Sequence, residues 1–173
     1  IGRAVFRTAA VFLGATLAVG KPWQIDASHS SAQFKVRHMM ITNVSGSITG
    51  LKGTLELNEA DITKSTVQAT LKASTIDTND DKRDKHLRSP DFLAVKKFPE
   101  IKFASKSVKK SGGGLKVFGD LTLKGVTKPV TLTVDGPTPA IKGPWGKTRR
   151  GLSATTSIDR KDFGITWNKA LDG

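Results

Sequence analysis

The sequence predicts an all-β protein built on an antiparallel sheet of about seven or eight strands. Apolar and polar residues alternate along most of the chain, as they do in strands with one buried face. Most links between these runs are too short for the crossovers that parallel strands require. One short helical pattern interrupts the runs, and there is no alternation of strands with helices. A sheet of this size either closes into a barrel or splits into a sandwich.

The clearest pattern lies in residues 115–134. Its apolar positions repeat every second residue in two runs, Leu115, Val117, Leu121 and Leu123, followed by Val130, Leu132 and Val134. The segment 124–129 separates the runs and contains Gly125, which tolerates positive φ, and Pro129, which suits the start of a strand. Two half-buried strands with a short link predict an antiparallel hairpin. Because an isolated hairpin is marginally stable, its apolar face requires further strands to cover it.

Shorter alternating runs predict the other strands, and one of them changes parity. A parity slip near Gly50 indicates a bulge or a sharp bend, which curves a sheet toward closure. The predicted strands outside the hairpin are residues 23–25, 32–38, 48–57 with the slip, 67–73, 101–103 and 152–158.

A short helical insertion is predicted near residues 79–94. The polar residues 78–81 supply an N-cap and acids for a first helical turn. Ser89 and Pro90 then end the helix, and residues 91–93 form a second turn.

The first twenty residues have the layout of a secretory signal peptide. Arg3 and Arg7 form a positive region, residues 8–19 are an apolar run too short to span a bilayer, and residues 18–20 are a small-x-small site. A buried N-terminal helix is the alternative. We therefore exclude residues 1–20 from the fold and expect residues 21–173 to form a single domain.

The composition restricts the chemistry. The chain has 173 residues, no cysteine and a net charge of +13. Disulfides, thiolate metal sites and cysteine nucleophiles are therefore excluded. A basic protein is attracted to nucleic acid, acidic polymers or anionic lipid. The lysines are spread along the chain without a dense basic run, which favours a solvated basic surface over a specific nucleic-acid site.

The residues do not indicate a metal site or a catalytic site. His29, His38 and His86 lack zinc-binding spacing, and no cofactor motif or G-x-S-x-G elbow is present. An enzyme using Asp84, His38 or Asp162 is a less favoured alternative. The aromatic residues are compatible either with an ordinary core or with the wall of an apolar pocket: Phe34, Phe92, Phe98, Phe103, Phe163 and Trp167.

Several motifs together resemble the YceI-like polyisoprenoid-binding proteins. Each motif is weak alone, but they occur in order from about residue 23 to the end of the chain. They are WQID at 23–26 with HS at 29–30, FKVRH at 34–38, IDT at 76–78, RDKHLRSPDF at 83–92, FPEIKF at 98–103, GDLTLKGVTKPV at 119–130 and RKDFG at 160–164.

The resemblance implies an extended, lipocalin-like antiparallel β-barrel of about eight strands. It also implies a periplasmic carrier of a long-chain isoprenoid, of the polyprenyl or quinone type, with no catalytic residues. The apolar lining expected by analogy is Phe34, Val36, Leu55, Leu71, Phe92, Phe103, Val117, Leu121, Leu132, Phe163 and Trp167. The polar residues expected at the barrel ends are His38, Arg83, Asp84 and Arg160.

The chain departs from the family at its end. Family members continue past the region of Trp167 with another strand, so we expect a C-terminally truncated barrel that lacks its last strand. An exposed edge would favour a homodimer, and the lysines would favour transient contact with an anionic membrane. The rival hypothesis is a basic barrel that binds nucleic acid or another polyanion.

Overall fold

The computed structural model describes residues 3–14, 22–38, 42–143 and 146–168. It is an all-β structure with one α-helix in the described chain. The strands are β1 Arg3–Gly14, β2 Trp23–Ile25, β3 Ser31–His38, β4 Thr42–Ile48, β5 Lys52–Glu56, β6 Thr66–Lys72, β7 Glu100–Ser111, β8 Gly114–Leu123, β9 Val126–Asp135, β10 Ile141–Lys142 and β11 Thr148–Asp159, and the helix is α1 Asp81–Leu87.

The strand pairings close the sheet into an antiparallel barrel. The ring runs through β11, β9, β8, β7, β6, β5, β2 and β1, and β1 pairs again with β11. Strands β3 and β4 continue β2 and β5 past a bend and pair with each other over seven residues. Short antiparallel connections therefore produce the predicted barrel of about eight strands rather than a sandwich.

The hairpin predicted at residues 115–134 is confirmed. Strands β8 and β9 pair from Leu115 with Val134 to Leu123 with Val126. The turn is shorter than the sequence suggests, because only Lys124 and Gly125 form it, with φ of 50° and 75°. Two consecutive residues with positive φ match the right-handed twist of the flanking strands. The strand therefore begins before Pro129.

The parity slip near Gly50 corresponds to the break between β4 and β5. Gly50 has a φ of 72°, in the left-handed region that favours glycine. The break turns the chain from pairing with β3 to pairing with β2 and β6. A second irregularity lies between Ser105 and Ser107 in β7, and the alternation of the sequence did not predict it.

The segment between β6 and β7, residues 73–99, closes one end of the barrel, which we call the floor. Helix α1 lies in the predicted insertion, and its N-cap Asp80 accepts a hydrogen bond from the backbone N–H of Arg83 at 2.9 Å. Leu93 from this segment packs with Phe163, which is 2% exposed and follows β11 in the chain. The floor thus joins two distant segments through one apolar cluster.

Strand β1 lies within residues 1–20, which the sequence analysis excludes from the fold. It pairs with β11 over the whole of Arg3–Gly14 and with β3 from Ala4 to Ala9. It therefore occupies a place in the ring where we expected a missing strand. Removal of residues 1–20 as a signal peptide is a processing event and stays a prediction, as does the truncation.

Candidate functional site

A cavity of about 160 Å³ lies inside the barrel. The inward-facing positions of β5 to β9 and β11 supply most of its wall, because alternate residues of a strand point to one face of the sheet. It extends from Ile101 and Leu123 at the floor cluster to Leu57, Ile62 and Pro137 at the opposite end, which we call the mouth.

The wall of the cavity is almost entirely aliphatic. Phe103 is its only aromatic residue among the described residues. Its polar residues are Thr8, Ser65, Thr66, Thr156 and Lys102. The Lys102 ammonium group lies in an exposed ion pair with Glu100. An apolar cavity of about 150 Å³ stays free of water and accepts a benzene-sized guest. The interior of this barrel is therefore suited to hydrocarbon and poorly suited to a polar or charged substrate.

The predicted apolar residues divide between the cavity and its surroundings. Those on the cavity wall are Leu55, Leu71, Phe103, Val117, Leu121 and Leu132. Those in the floor cluster or packed against it are Phe34, Val36, Phe92 and Phe163. Trp167 is 37% exposed and contacts the outer side of the floor. Contact of any of them with a ligand stays a prediction.

Arg83 and Asp84 meet at Thr78 in the floor. The Asp84 carboxylate, 3% exposed, accepts hydrogen bonds from the backbone N–H of Thr78 at 3.0 Å and from its hydroxyl. Arg83 donates to the Thr78 hydroxyl at 2.7 Å and to the Thr78 carbonyl at 2.8 Å. Both side chains therefore fix the chain that leads into α1, and they are linked through Thr78 rather than paired directly.

Arg160 lies on the outer side of the floor, in a group that the sequence analysis did not assemble. Its guanidinium donates to the Trp167 carbonyl at 2.8 Å and lies over the Phe92 ring. His86 packs edge-on against Phe92 and Trp167, and its Nε2 lies 3.0 Å from Asp91. The predicted residue His38 ends β3 at the same end of the barrel, and its side chain lies outside the described residues.

An arginine that no sequence motif indicated lies beside the mouth. Arg150 follows the parity of Leu152 and Ala154, which line the cavity. Its Nη2 lies 2.6 Å from the carboxylate of Glu59, and its guanidinium lies 5.2 Å from the ring centre of Trp23. The sequence pattern could have indicated this residue. Arg150 has the same parity as the inward apolar residues of its strand, and a charged side chain on that face is expected where the apolar interior ends.

A turn between β2 and β3 contains Asp26, Ser28 and His29. The Asp26 carboxylate accepts a hydrogen bond from the Ser28 hydroxyl at 2.6 Å and lies 2.7 Å from Nδ1 of His29. Ser28 Oγ approaches the same ring nitrogen at 3.0 Å. In a catalytic triad the serine and the carboxylate contact opposite ring nitrogens. This group therefore stabilises a turn and lacks the geometry of a nucleophile relay.

The Asp26 turn predicts an acid-dependent loss of stability. The hydrogen bond from the Ser28 side chain, followed by the contact with His29, lowers the pKa of Asp26 from 3.8 to about 2, against the effect of burial. A lowered pKa in the folded state stabilises the fold above pH 4, and this contribution is lost as the pH falls from about 4 to 2. We expect Asp26→Asn to reduce the free energy of unfolding at pH 6 by on the order of 2 kcal/mol.

Urea unfolding of the wild type and Asp26→Asn at several pH values measures this difference. We expect the two curves to approach each other as the pH falls toward 2, where the folded wild-type carboxyl is half protonated. A difference that is equally large at pH 2 and pH 6 would show that the carboxylate charge is not responsible.

The described part of the chain offers neither a metal cluster nor a membrane-spanning helix. No three His, Asp or Glu side chains in it come together as metal ligands would. None of its helices is long and apolar enough to cross a bilayer.

The fold and cavity define the class of the protein as an antiparallel β-barrel with an apolar interior site. The YceI-like domain model matches residues 23–173. The chain therefore belongs to the YceI-like family.

Individual relatives agree with this assignment. A UPF0312 protein of Serratia proteamaculans is 40% identical over 163 residues, covering 91% of this chain and 82% of the relative. Protein YceI of Salmonella newport is 39% identical over 167 residues, covering 93% and 85% of the two chains. The crystal structure of the YCEI protein of Campylobacter jejuni has a TM-score of 0.61 at 30% identity, covering 76% of this chain and 77% of that chain.

Proposed function

We propose that this protein binds a long-chain isoprenoid lipid, of the polyprenyl or isoprenoid quinone type, inside its barrel and acts as its carrier. The observation that carries the proposal is the apolar cavity between the floor and the mouth. The resemblance to polyisoprenoid-binding proteins, on the motifs of the sequence, supports the choice of an isoprenoid over other hydrocarbons.

The energetics of transfer favour a ligand of several isoprene units. Each buried CH₂-sized group contributes up to about 0.8 kcal/mol. Association costs an estimated 4–15 kcal/mol or more, and ordering a flexible chain adds to this cost. One isoprene unit of five carbons therefore cannot give stable binding, whereas several units in one cavity can.

A long chain requires the cavity to lengthen or widen. Among the long strands β7, β8, β9 and β11, the weakest seam is the one between β9 and β11, where only three residue pairs, beginning with Ser153 and Asp135, are in register. Val130 and Thr156 line the cavity beside the unpaired part of this seam. Widening there breaks fewer backbone hydrogen bonds than widening between β7 and β8, which pair along most of their length.

Export and surface contacts form part of the same proposal. The composition of residues 1–20 supports transport to the periplasm. The positive net charge, +13 for the whole chain and +11 without Arg3 and Arg7 of the proposed leader, supports transient contact with an anionic membrane surface during loading. A homodimer stays a prediction of the sequence analysis.

Copurified lipid tests the proposal directly. The protein is purified without detergent and extracted with organic solvent, and the extract is analysed by mass spectrometry beside an equally treated unrelated barrel. We expect an isoprenoid lipid at a substantial fraction of the protein concentration. No isoprenoid, and no uptake by the extracted and refolded protein, would contradict the proposal. Salt-sensitive binding of nucleic acid in their place would support the polyanion hypothesis.

A further inference from the structure

We propose that Arg150 is the head-group site of the barrel, and that the bound lipid ends in an anionic group, a phosphate or a carboxylate, placed at the mouth. This inference rests on the proposed function, because it assumes that a hydrocarbon tail occupies the cavity. It adds the chemical class of the head group and the residue that recognises it.

The position of Arg150 follows from the two segments that meet there. Leu152 and Leu57 both line the cavity. Arg150 lies two residues before Leu152 and Glu59 two residues after Leu57, and their side chains form an ion pair at 2.6 Å. The pair therefore lies directly beyond the apolar wall, where the end of a lipid tail would leave the cavity.

The guanidinium of Arg150 is held in place and only partly satisfied. Its side chain is 16% exposed, and it lies over Trp23, which packs against Leu55 of the cavity wall. Its Nε is buried without a hydrogen-bond acceptor among the described residues. A buried donor without an acceptor is unfavourable, so an oxygen atom supplied by a ligand would be stabilised there.

The unused donor lies beside the one that Glu59 occupies. Nε–H and the neighbouring Nη2–H point in the same direction on one edge of a guanidinium, which matches two oxygens of a phosphate or carboxylate. Glu59 contacts Nη2, and Nε is left over. A head group with two oxygens can therefore satisfy both donors, whereas Glu59 satisfies one.

Glu59 is suited to exchange for such a head group. Its side chain is 65% exposed, and ion pairs with an exposed partner contribute little to stability. Release of Glu59 returns its carboxylate to water and leaves Arg150 stacked on Trp23. The empty barrel thus keeps its cation neutralised, and the loaded barrel replaces Glu59 with the lipid.

Two probes with the same tail separate the head-group site from the cavity. Geranylgeraniol and geranylgeranyl monophosphate are titrated into delipidated protein by calorimetry at fixed salt. We expect Arg150→Gln to lower the affinity for geranylgeranyl monophosphate at least tenfold and to change the affinity for geranylgeraniol less than twofold. Glu59→Gln, which removes the competing carboxylate, should strengthen binding of the phosphate probe by about threefold or more, consistent with charge-assisted pairing.

Arg149→Gln is the matched control, because Arg149 has the opposite parity on β11 and also carries a buried Nε without an acceptor among the described residues. An equal loss in Arg149→Gln would assign the effect to the general positive charge and overturn the proposal. The proposal would also be overturned if Arg150→Gln lowered the affinity for both probes equally, or if it left the affinity for the phosphate probe unchanged. So would inorganic phosphate that binds as tightly as the lipid phosphate.

The two proposals fail differently. If wild-type protein binds neither probe, the proposed function fails, and the head-group site fails with it. If wild-type protein binds both probes equally and Arg150→Gln changes neither affinity, only the head-group site fails. Thermal unfolding of each variant shows that the comparison is made between folded proteins.

Discussion

Replacement of Ala69 by tryptophan is expected to weaken lipid binding strongly while the barrel stays folded. Ala69 lies on β6, lines the cavity and is the register partner of Phe103 on the neighbouring strand β7. An indole ring is larger than the benzene-sized guest that a cavity of about 150 Å³ accepts, so it would fill most of the space. Excluding one isoprene unit removes up to about 4 kcal/mol of transfer free energy, and we expect the affinity to fall at least about 100-fold.

Gln68→Trp is the matched control for this experiment. Gln68 precedes Ala69 on β6 and is exposed on the outer face, so the same side chain is added to the same strand outside the cavity. Copurified lipid and the affinity for geranylgeraniol are measured for both variants. Full lipid occupancy in folded Ala69→Trp would show that the ligand does not occupy this cavity.

The second large effect is expected at Asp84. Substitution by alanine leaves the backbone N–H and the hydroxyl of Thr78 without their buried acceptor. Each buried donor without a partner costs about 1–3 kcal/mol, so we expect Asp84→Ala to lower the free energy of unfolding by about 3–5 kcal/mol. For a protein of this size, the melting temperature should fall by roughly 10 °C.

Asp81→Ala provides the control on the same helix. Asp81 is an exposed acid in the first turn of α1, and its loss should cost a few tenths of a kcal/mol through the helix dipole. Thermal and urea unfolding compare the two variants. Equal stabilities for Asp84→Ala and Asp81→Ala would show that the contacts with Thr78 do not stabilise the floor.

The alternation of side chains was sufficient to predict the sheet. It did not predict which inward residues line the cavity and which pack in the floor cluster. Leu121 and Phe163 were both predicted to line a tube. Leu121 lies on the cavity wall, whereas Phe163 is buried in the floor cluster. Parity along a strand tells which face a residue occupies, but not its height along the barrel axis. That height depends on the register between strands, which is set by pairings distant in sequence.

The site at the mouth was hidden for a related reason. Arg150 and Glu59 are 91 positions apart, and neither belongs to a motif of the sequence. A charged residue is expected to face water. The predicted strand therefore begins at residue 152, although Arg150 has the parity of its inward residues. Only the closure of the ring brings the β5–β6 link beside the start of β11.

Strand β1 has a consequence for the proposed export. It supplies the partner of β11 along twelve register positions, yet its sequence has the features of an export leader. Cleavage after residue 20 would open a slot one strand wide while leaving the floor and nearly the whole apolar wall in place. Removal of the leader would then also give a ligand access to the interior, because the same segment would be both the export signal and one strand of the barrel wall.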